Sequence, residues 1–234
     1  MSGVSGLIRV GHKGADHVAP GNTAASFEAA LEHGVDMIEF DVLRTRDGRL
    51  VLAHDYADAE RRECLTLEEG LRHFAGEAYA DVELDVDLKL PGYESEVVEG
   101  LARHGLVERS LVSTMYPASL DRLGELEPRV RRGWSVPRVR RNYLEAPLHV
   151  RLPAYGMAAY MRTRMPSLAA ARIRSGGCEA IMSHHILVGR RLVRAVHEAG
   201  GQLYVWTVDD AAKIRALEAL GVDAVITNDP RLFG

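Results

Sequence analysis

Two periodicities alternate along the chain. Short runs place apolar residues at every second position, and the longer stretches between them bring apolar residues back every three or four. The first pattern is that of strands and the second that of helices. Strands are predicted at 7–12, 36–42, 81–88, 110–114, 130–135, 180–183, 202–207 and 224–227, and helices at 23–33, 66–74, 93–104, 117–125, 167–174, 189–199 and 210–220. Thr23 suits the N-cap of the first helix and Gly34 its left-handed end. Eight strands alternating with helices predict an α/β fold, a TIM (β/α)8 barrel, although a doubly wound sheet shares the alternation. One stretch breaks the rhythm. Residues 137–166 are rich in Arg, Tyr, Met and Pro without a clean period, and read as an Arg-rich, partly helical insertion after the fifth strand, over one rim of the barrel. No linker or repeat interrupts the series, so a single domain over residues 1–234 is expected.

The second strand, in "DMIEFDVLRTRDGRLVLAHD", carries an awkward pair. Ile38, Phe40 and Val42 share one face, and Glu39 and Asp41 share the other. The third, in "LDVDLKLPG", repeats the scheme with Asp85, Asp87 and Lys89 on one face. In a barrel the face turned away from the helices fills the lumen, and chemistry sits at the carboxyl ends of the strands. Four acids and a lysine then converge near the mouth, where uncompensated carboxylates repel one another. A divalent cation that prefers oxygen ligands, Mg2+ or Ca2+, removes the problem, and Glu39, Asp41 and Asp87 are its expected ligands. Strand ends reaching solvent at the rim are the competing reading. His12 ends the first strand and His54 follows the second and its turn, so both belong near the same mouth. Their rings titrate near neutrality, as an acid and a base of catalysis must. His17 is close enough to His12 to support it.

Composition adds boundaries. The 234 residues are 47% apolar and 26% charged, ordinary for a globular protein. No apolar run is long enough to span a bilayer, no secretion signal is read at the amino end, and Cys64 and Cys178 form no metal pattern. A cytoplasmic enzyme is the expectation. The net charge of −4 is uneven: residues 129–174 hold eleven arginines against one acid, Glu145, an excess of ten, so the remainder carries −14. This asymmetry suits an anionic ligand or a peripheral contact with anionic lipid, with a solvated arginine-rich face as the alternative. Nucleic acid is not expected, since no recognised motif is present. Only three residues are lysines, Lys13, Lys89 and Lys213, and two of them fall beside the proposed site.

Seven short motifs occur in order: "HKG" at His12–Gly14, "PGNT" at Pro20–Thr23, "EFD" at Glu39–Asp41, "HD" at His54–Asp55, "DLK" at Asp87–Lys89, "WTV" at Trp206–Val208 and "TNDP" at Thr227–Pro230. With these the chain resembles the glycerophosphodiester phosphodiesterase family. The resemblance implies a TIM barrel that uses Mg2+ or Ca2+ to hydrolyse small phosphodiesters to an alcohol and sn-glycerol 3-phosphate. It implies Glu39, Asp41 and Asp87 as metal ligands, His12 and His54 as the acid–base pair, Lys13 and Lys89 as phosphate contacts, and Trp206 as a wall of the substrate pocket. Which histidine is the base stays open. The motifs depart from the family pattern in three places. Lys13 stands for arginine and keeps the charge without the bidentate fork. Gly21 stands for a glutamate that would pair with that arginine, so the two changes compensate. Asp87 stands for glutamate and is one methylene shorter. The segment after His54–Asp55 is also short, which leaves the headgroup open. A lyase that stops at a cyclic phosphate, an enzyme acting on lysophospholipids, and a non-catalytic phosphate-binding barrel are the rival readings.

Overall fold

Eight parallel strands close into a (β/α)8 barrel in the computed structural model, which describes residues 6–138 and 148–234. The strands are β1 (Ile8–Gly11), β2 (Met37–Arg44), β3 (Leu50–Leu52), β4 (Glu83–Leu88), β5 (Ser110–Thr114), β6 (Arg131–Val136), β7 (Ala180–His184), β8 (Gln202–Trp206) and β9 (Ala224–Thr227). Of these β3 is the exception: it runs antiparallel against the end of β2 and stands outside the closed ring. The helices are α1 (Ala24–Glu32), α2 (Tyr56–Arg61), α3 (Leu67–Phe74), α4 (Glu94–Arg103), α5 (Pro117–Leu126), α6 (Leu148–Arg174), α7 (Arg190–Glu198) and α8 (Ala211–Leu220). Sequence reading anticipates neither β3 nor α2, each too short to show a period.

The ring closes where β1 pairs with both β9 and β2. That last seam is narrow. Only Val10↔Met37 and Gly11↔Ile38 face each other across it, whereas β2 and β4 share six residue pairs. Short helices pack outside the ring because every strand offers an apolar face to them. On β2 that face is Ile38, Phe40 and Val42, all fully buried. Phe40 stacks on Phe74 of α3 at 5.0 Å, and Phe74 meets Phe27 of α1 at 4.7 Å. Burial of aromatic rings of this size supplies a large share of the stabilisation.

Inside, the lower lumen is filled by an apolar layer that includes Val10, Met37, Leu111, Met182, Tyr204 and Ile226. Gly133 on β6 leaves room for it: a Cβ there would lie 2.8 Å from Leu111 and 3.0 Å from Met182. The barrel is therefore a packed plug with its working surface at one end.

The helix α6 departs from expectation. A separate helix is predicted at 167–174, yet α6 runs unbroken for 27 residues and takes in the part of the 137–166 stretch from Leu148 on. Residues 139–147 lie outside the described residues. Pro166 marks a boundary in the sequence because it lacks an N–H and crowds the carbonyl four residues back. That carbonyl belongs to Arg162, yet the helix continues through Pro166.

Candidate active site

The residues singled out from the sequence meet at the carboxyl ends of β1, β2, β4 and β8. Strand β2 sets the first two. Its inward positions carry Glu39 and Asp41, both buried. Register places Asp41 beside Asp87 of β4, and one oxygen from each of Glu39, Asp41 and Asp87 lies within 4.8 Å of the others. Burial, then the neighbouring Asp41, pushes the Glu39 carboxyl well above the usual carboxylate range. Burial pushes Asp41 the same way, but Lys89 and the two histidines outweigh it and hold this carboxyl ionised. Lys89 answers the cluster directly, with its Nζ 2.5 Å from Asp41 Oδ1 and 2.6 Å from Asp87 Oδ2. The pairing is incomplete, since Asp41 Oδ1 is buried without a well-directed hydrogen bond. Three oxygen donors at this spacing, one of them driven towards protonation, fit a divalent cation by charge and by donor type.

Asp85 does not join them. It is buried in the lumen, opposite Glu39 in the strand register, with Oδ1 unpartnered. Burial raises its carboxyl to about 8, so it stands neutral at pH 7.

His12 follows β1 and its ring has a fixed orientation. Nδ1 lies 2.6 Å from Asn228 Oδ1, while Asn228 donates through Nδ2 to Asp209 Oδ2 at 2.7 Å and through its backbone N–H to Asp209 Oδ1 at 2.8 Å. An amide held this way turns its oxygen to the imidazole, so Nδ1 carries the proton and Nε2 keeps its lone pair. Nε2 faces the acids, 3.8 Å from Glu39 Oε2, and burial lowers the affinity of the ring for a second proton. His54 lies across the mouth on the segment between β3 and α2. It is half exposed and its Nδ1 is 3.1 Å from Asp55 Oδ2, the N-cap of α2. A cavity of about 410 Å3 opens between the two histidine-bearing loops, lined by His54, Lys13, Asp16, Asp58 and Arg62 among others.

Lys13 sits at φ +51° and Asn22 at φ +59°, two left-handed residues that fold the β1–α1 loop back over the mouth. The loop amide of Lys13 donates to Glu39 Oε2 at 2.7 Å. Asn22, fully buried, grips Asp41 twice: Nδ2 donates to Oδ2 at 2.8 Å, and Oδ1 accepts the Asp41 N–H at 3.0 Å. The Lys13 ammonium is 2.7 Å from Asp16 Oδ2, and Asp16 Oδ1 accepts the N–H of Gly21. The substitutions at 13 and 21 are thus joined through a third residue. A Cβ on Gly21 would lie 2.6 Å from Asp16 Oδ1 and 2.8 Å from the Lys13 Cβ, so a glutamate there would force Asp16 or Lys13 to shift. Sequence reading misses Asp16 and Asp209 altogether, and treats Asn22 and Asn228 only as letters of a motif.

Trp206 closes the far side. Its Nε1 donates to Met182 O at 2.8 Å, and the ring of His184 meets it edge-on at 5.0 Å. His184, stacked on His185 at 4.3 Å, was not expected; the doublet "HH" directly after a predicted strand is the signal that would have found it.

Comparison with known proteins bears on this arrangement. The model of the glycerophosphoryl diester phosphodiesterase family matches residues 12–86 and 62–232. A glycerophosphodiester phosphodiesterase of Caldanaerobacter subterraneus subsp. tengcongensis is 26% identical over 255 residues, spanning 94% of this chain and 93% of its own. Among solved structures, a glycerophosphodiester phosphodiesterase from Agrobacterium tumefaciens superposes with a TM-score of 0.69 at 22% identity, covering 97% of this chain and 99% of that one. A phosphodiesterase of Oleispira antarctica, solved in complex with the product sn-glycerol-3-phosphate, superposes at 0.68 with 22% identity, over 95% of this chain and 93% of its own.

Proposed function

The chain belongs to the glycerophosphoryl diester phosphodiesterase family, and from that premise we propose that it hydrolyses glycerophosphodiesters to an alcohol and sn-glycerol 3-phosphate. Glu39, Asp41 and Asp87 hold the divalent cation, Mg2+ or Ca2+, that the reaction uses. One observation carries this reading: three carboxylates from two adjacent strands share one small volume, with an imidazole of fixed tautomer against it. The product found in the Oleispira antarctica enzyme supports the glycerol phosphate half of the substrate. When bound, the cation neutralises the phosphodiester and stabilises charge developing on its non-bridging oxygens.

The protein's own groups do the rest. Lys89, and Lys13 once it leaves Asp16, contact phosphate oxygens as point charges. His12 is the general base. Its Nε2 takes the proton of the attacking hydroxyl as that oxygen bonds to phosphorus, while the Asn228–Asp209 chain keeps the ring turned. The phosphorus–oxygen bond to the alcohol breaks, and a protonated His54 gives its proton to the departing alkoxide; where the attacking hydroxyl is the substrate's own, the cyclic phosphate left behind is opened by water, whose proton passes to His54 while the proton held on His12 passes to the ring oxygen released. Trp206 supplies a flat apolar wall for the carbon part of the substrate.

A panel of glycerophosphodiesters and lysophospholipids, assayed with Mg2+, Ca2+, Mn2+ or EDTA and followed by phosphorus NMR, tests the reading. Release of glycerol phosphate that stops in EDTA is expected. A cyclic phosphate as the final product would make the enzyme a lyase. Binding of glycerol phosphate without turnover under any cation would leave a non-catalytic phosphate-binding barrel.

A further inference from the structure

Strand β7 carries an inward histidine that the proposed reaction does not use. Ala180 and Met182 belong to the apolar layer of the lumen, so His184, two positions on, faces the mouth above them. Register sets it beside Trp206 of β8, whose ring it meets edge-on. The imidazole is oriented. Its Nδ1 accepts the backbone N–H of Ile186 at 3.2 Å, which places the ring proton on Nε2. Nε2 meets no partner among the described residues. Burial, then His185 and Lys213, keeps the ring neutral at pH 7. One nitrogen is spent on holding the ring, and the other is left as an uncharged donor. The indole N–H of Trp206 is already given to Met182 O, so the donor beside this wall is the Nε2–H of His184.

The order of the strands gives that donor an address. β7 stands four places from β2 around the ring in either direction, so the two face each other across the mouth. His54 follows β3, which is paired to the end of β2. Attacking and leaving oxygens lie roughly in line through phosphorus. With the departing alcohol at His54, the retained glycerol half extends away from it, towards β8 and β7. Its carbons then lie along Trp206, and its far end comes to His184.

We propose that His184 is a specificity-determining residue, whose Nε2–H hydrogen-bonds the terminal hydroxyl of the glycerol moiety, the one farthest from phosphorus. The inference rests on the phosphodiesterase reading for the placement of the phosphate. A neutral donor suits this partner, because a hydroxyl oxygen offers lone pairs and no charge, and is read by direction. A substrate without that hydroxyl would cover the N–H and leave it unpaired, which costs binding.

The test compares sn-glycero-3-phosphocholine with its analogue lacking the terminal hydroxyl, 2-hydroxypropyl phosphocholine, using the full chain with Mg2+. The wild type is expected to favour the glycerol substrate by about 5-fold to 10-fold in kcat/KM. In His184→Asn the amide oxygen can still accept the Ile186 N–H, but the amide nitrogen reaches only as far as the imidazole Cδ2. The preference is then expected to fall to about 1, because activity on the glycerol substrate drops towards that on the analogue. His184→Gln carries an amide nitrogen out to the position of Nε2, and most of the preference should return. A wild type indifferent to the hydroxyl, a preference that survives in His184→Asn, or a loss of the same factor on both substrates overturns the proposal; the last is what a merely structural ring would give. Calorimetric binding of sn-glycerol 3-phosphate and of propane-1,2-diol 1-phosphate separates the two readings. Should no phosphodiester be turned over while binding keeps the preference and His184→Asn erases it, the phosphodiesterase reading fails and the recognition stands.

Discussion

Two sides of one mouth are built on opposite principles. On the side of β1, β2 and β4, nearly every polar atom is gripped: Asp41 by Asn22 and Lys89, Glu39 by the loop amide of Lys13, His12 by Asn228. On the side of β7, β8 and α6, the groups are rings in van der Waals contact, His185 on His184 on Trp206, beside a helix none of whose residues Tyr155–Arg164 is buried. The first side fixes charges in space before a substrate arrives, as electrostatic catalysis requires. The second offers shape and apolar surface, which set what part of a substrate is tolerated. The difference separates the chemistry from the recognition, and three experiments can break or sharpen it.

The largest effect is expected at Lys89. Replacing it by Met leaves Asp41 and Asp87 facing each other with no cation between them. Stability to urea in EDTA should fall by about 3–5 kcal/mol, and excess Mg2+ should restore most of it. An equal loss with and without Mg2+ would show that the cluster is a salt-bridge network and no cation site. Next is His12→Ala, which should lower turnover by about 100-fold or more while bound metal, measured by atomic emission, stays unchanged. Turnover at the wild-type rate would remove His12 from the role given to it here.

The smallest effect belongs to the ring side. Burial, then His185 and Lys213, lowers His184 from 6.5 to about 4. Between these values the unfolded chain takes up the proton before the folded one does. The contribution of His184 is therefore complete above pH 6.5 and is lost as the pH falls towards 4. Allowing for the partial exposure of the ring, the loss is on the order of 1 kcal/mol. Melting temperatures across this window should fall less steeply in His184→Gln; identical slopes would place the ring in water.

Much of this was legible beforehand, for reasons that differ by residue. The alternation of β2 and β4 announced Glu39, Asp41 and Asp87 because a strand buried on both faces has nowhere to hide a charge except the lumen. His12 and His54 end or follow such strands, and that position in the sequence is what brings them towards the mouth. Asp85 shares the register position of Glu39 but not the oxygen cluster, a distinction that no period reports. Asp16, Asn22, Asp209 and Asn228 act from loops whose course depends on two left-handed residues, Lys13 and Asn22, and no periodicity extends across a turn. The extent of α6 is not legible, because Pro166 reads as a boundary that the helix overrides.

The narrow seam between β1 and β2 has a consequence of its own. With two residue pairs in register, that joint is reinforced by side chains: Asp36 takes the Arg9 N–H, Glu39 takes the Lys13 N–H, and Asn22 donates to Asp41. The stitches that zip the cylinder shut are thus partly the same groups that do its chemistry. Selection for catalysis and selection for mechanical integrity act there on a single set of atoms, and a change that relaxes one must loosen the other.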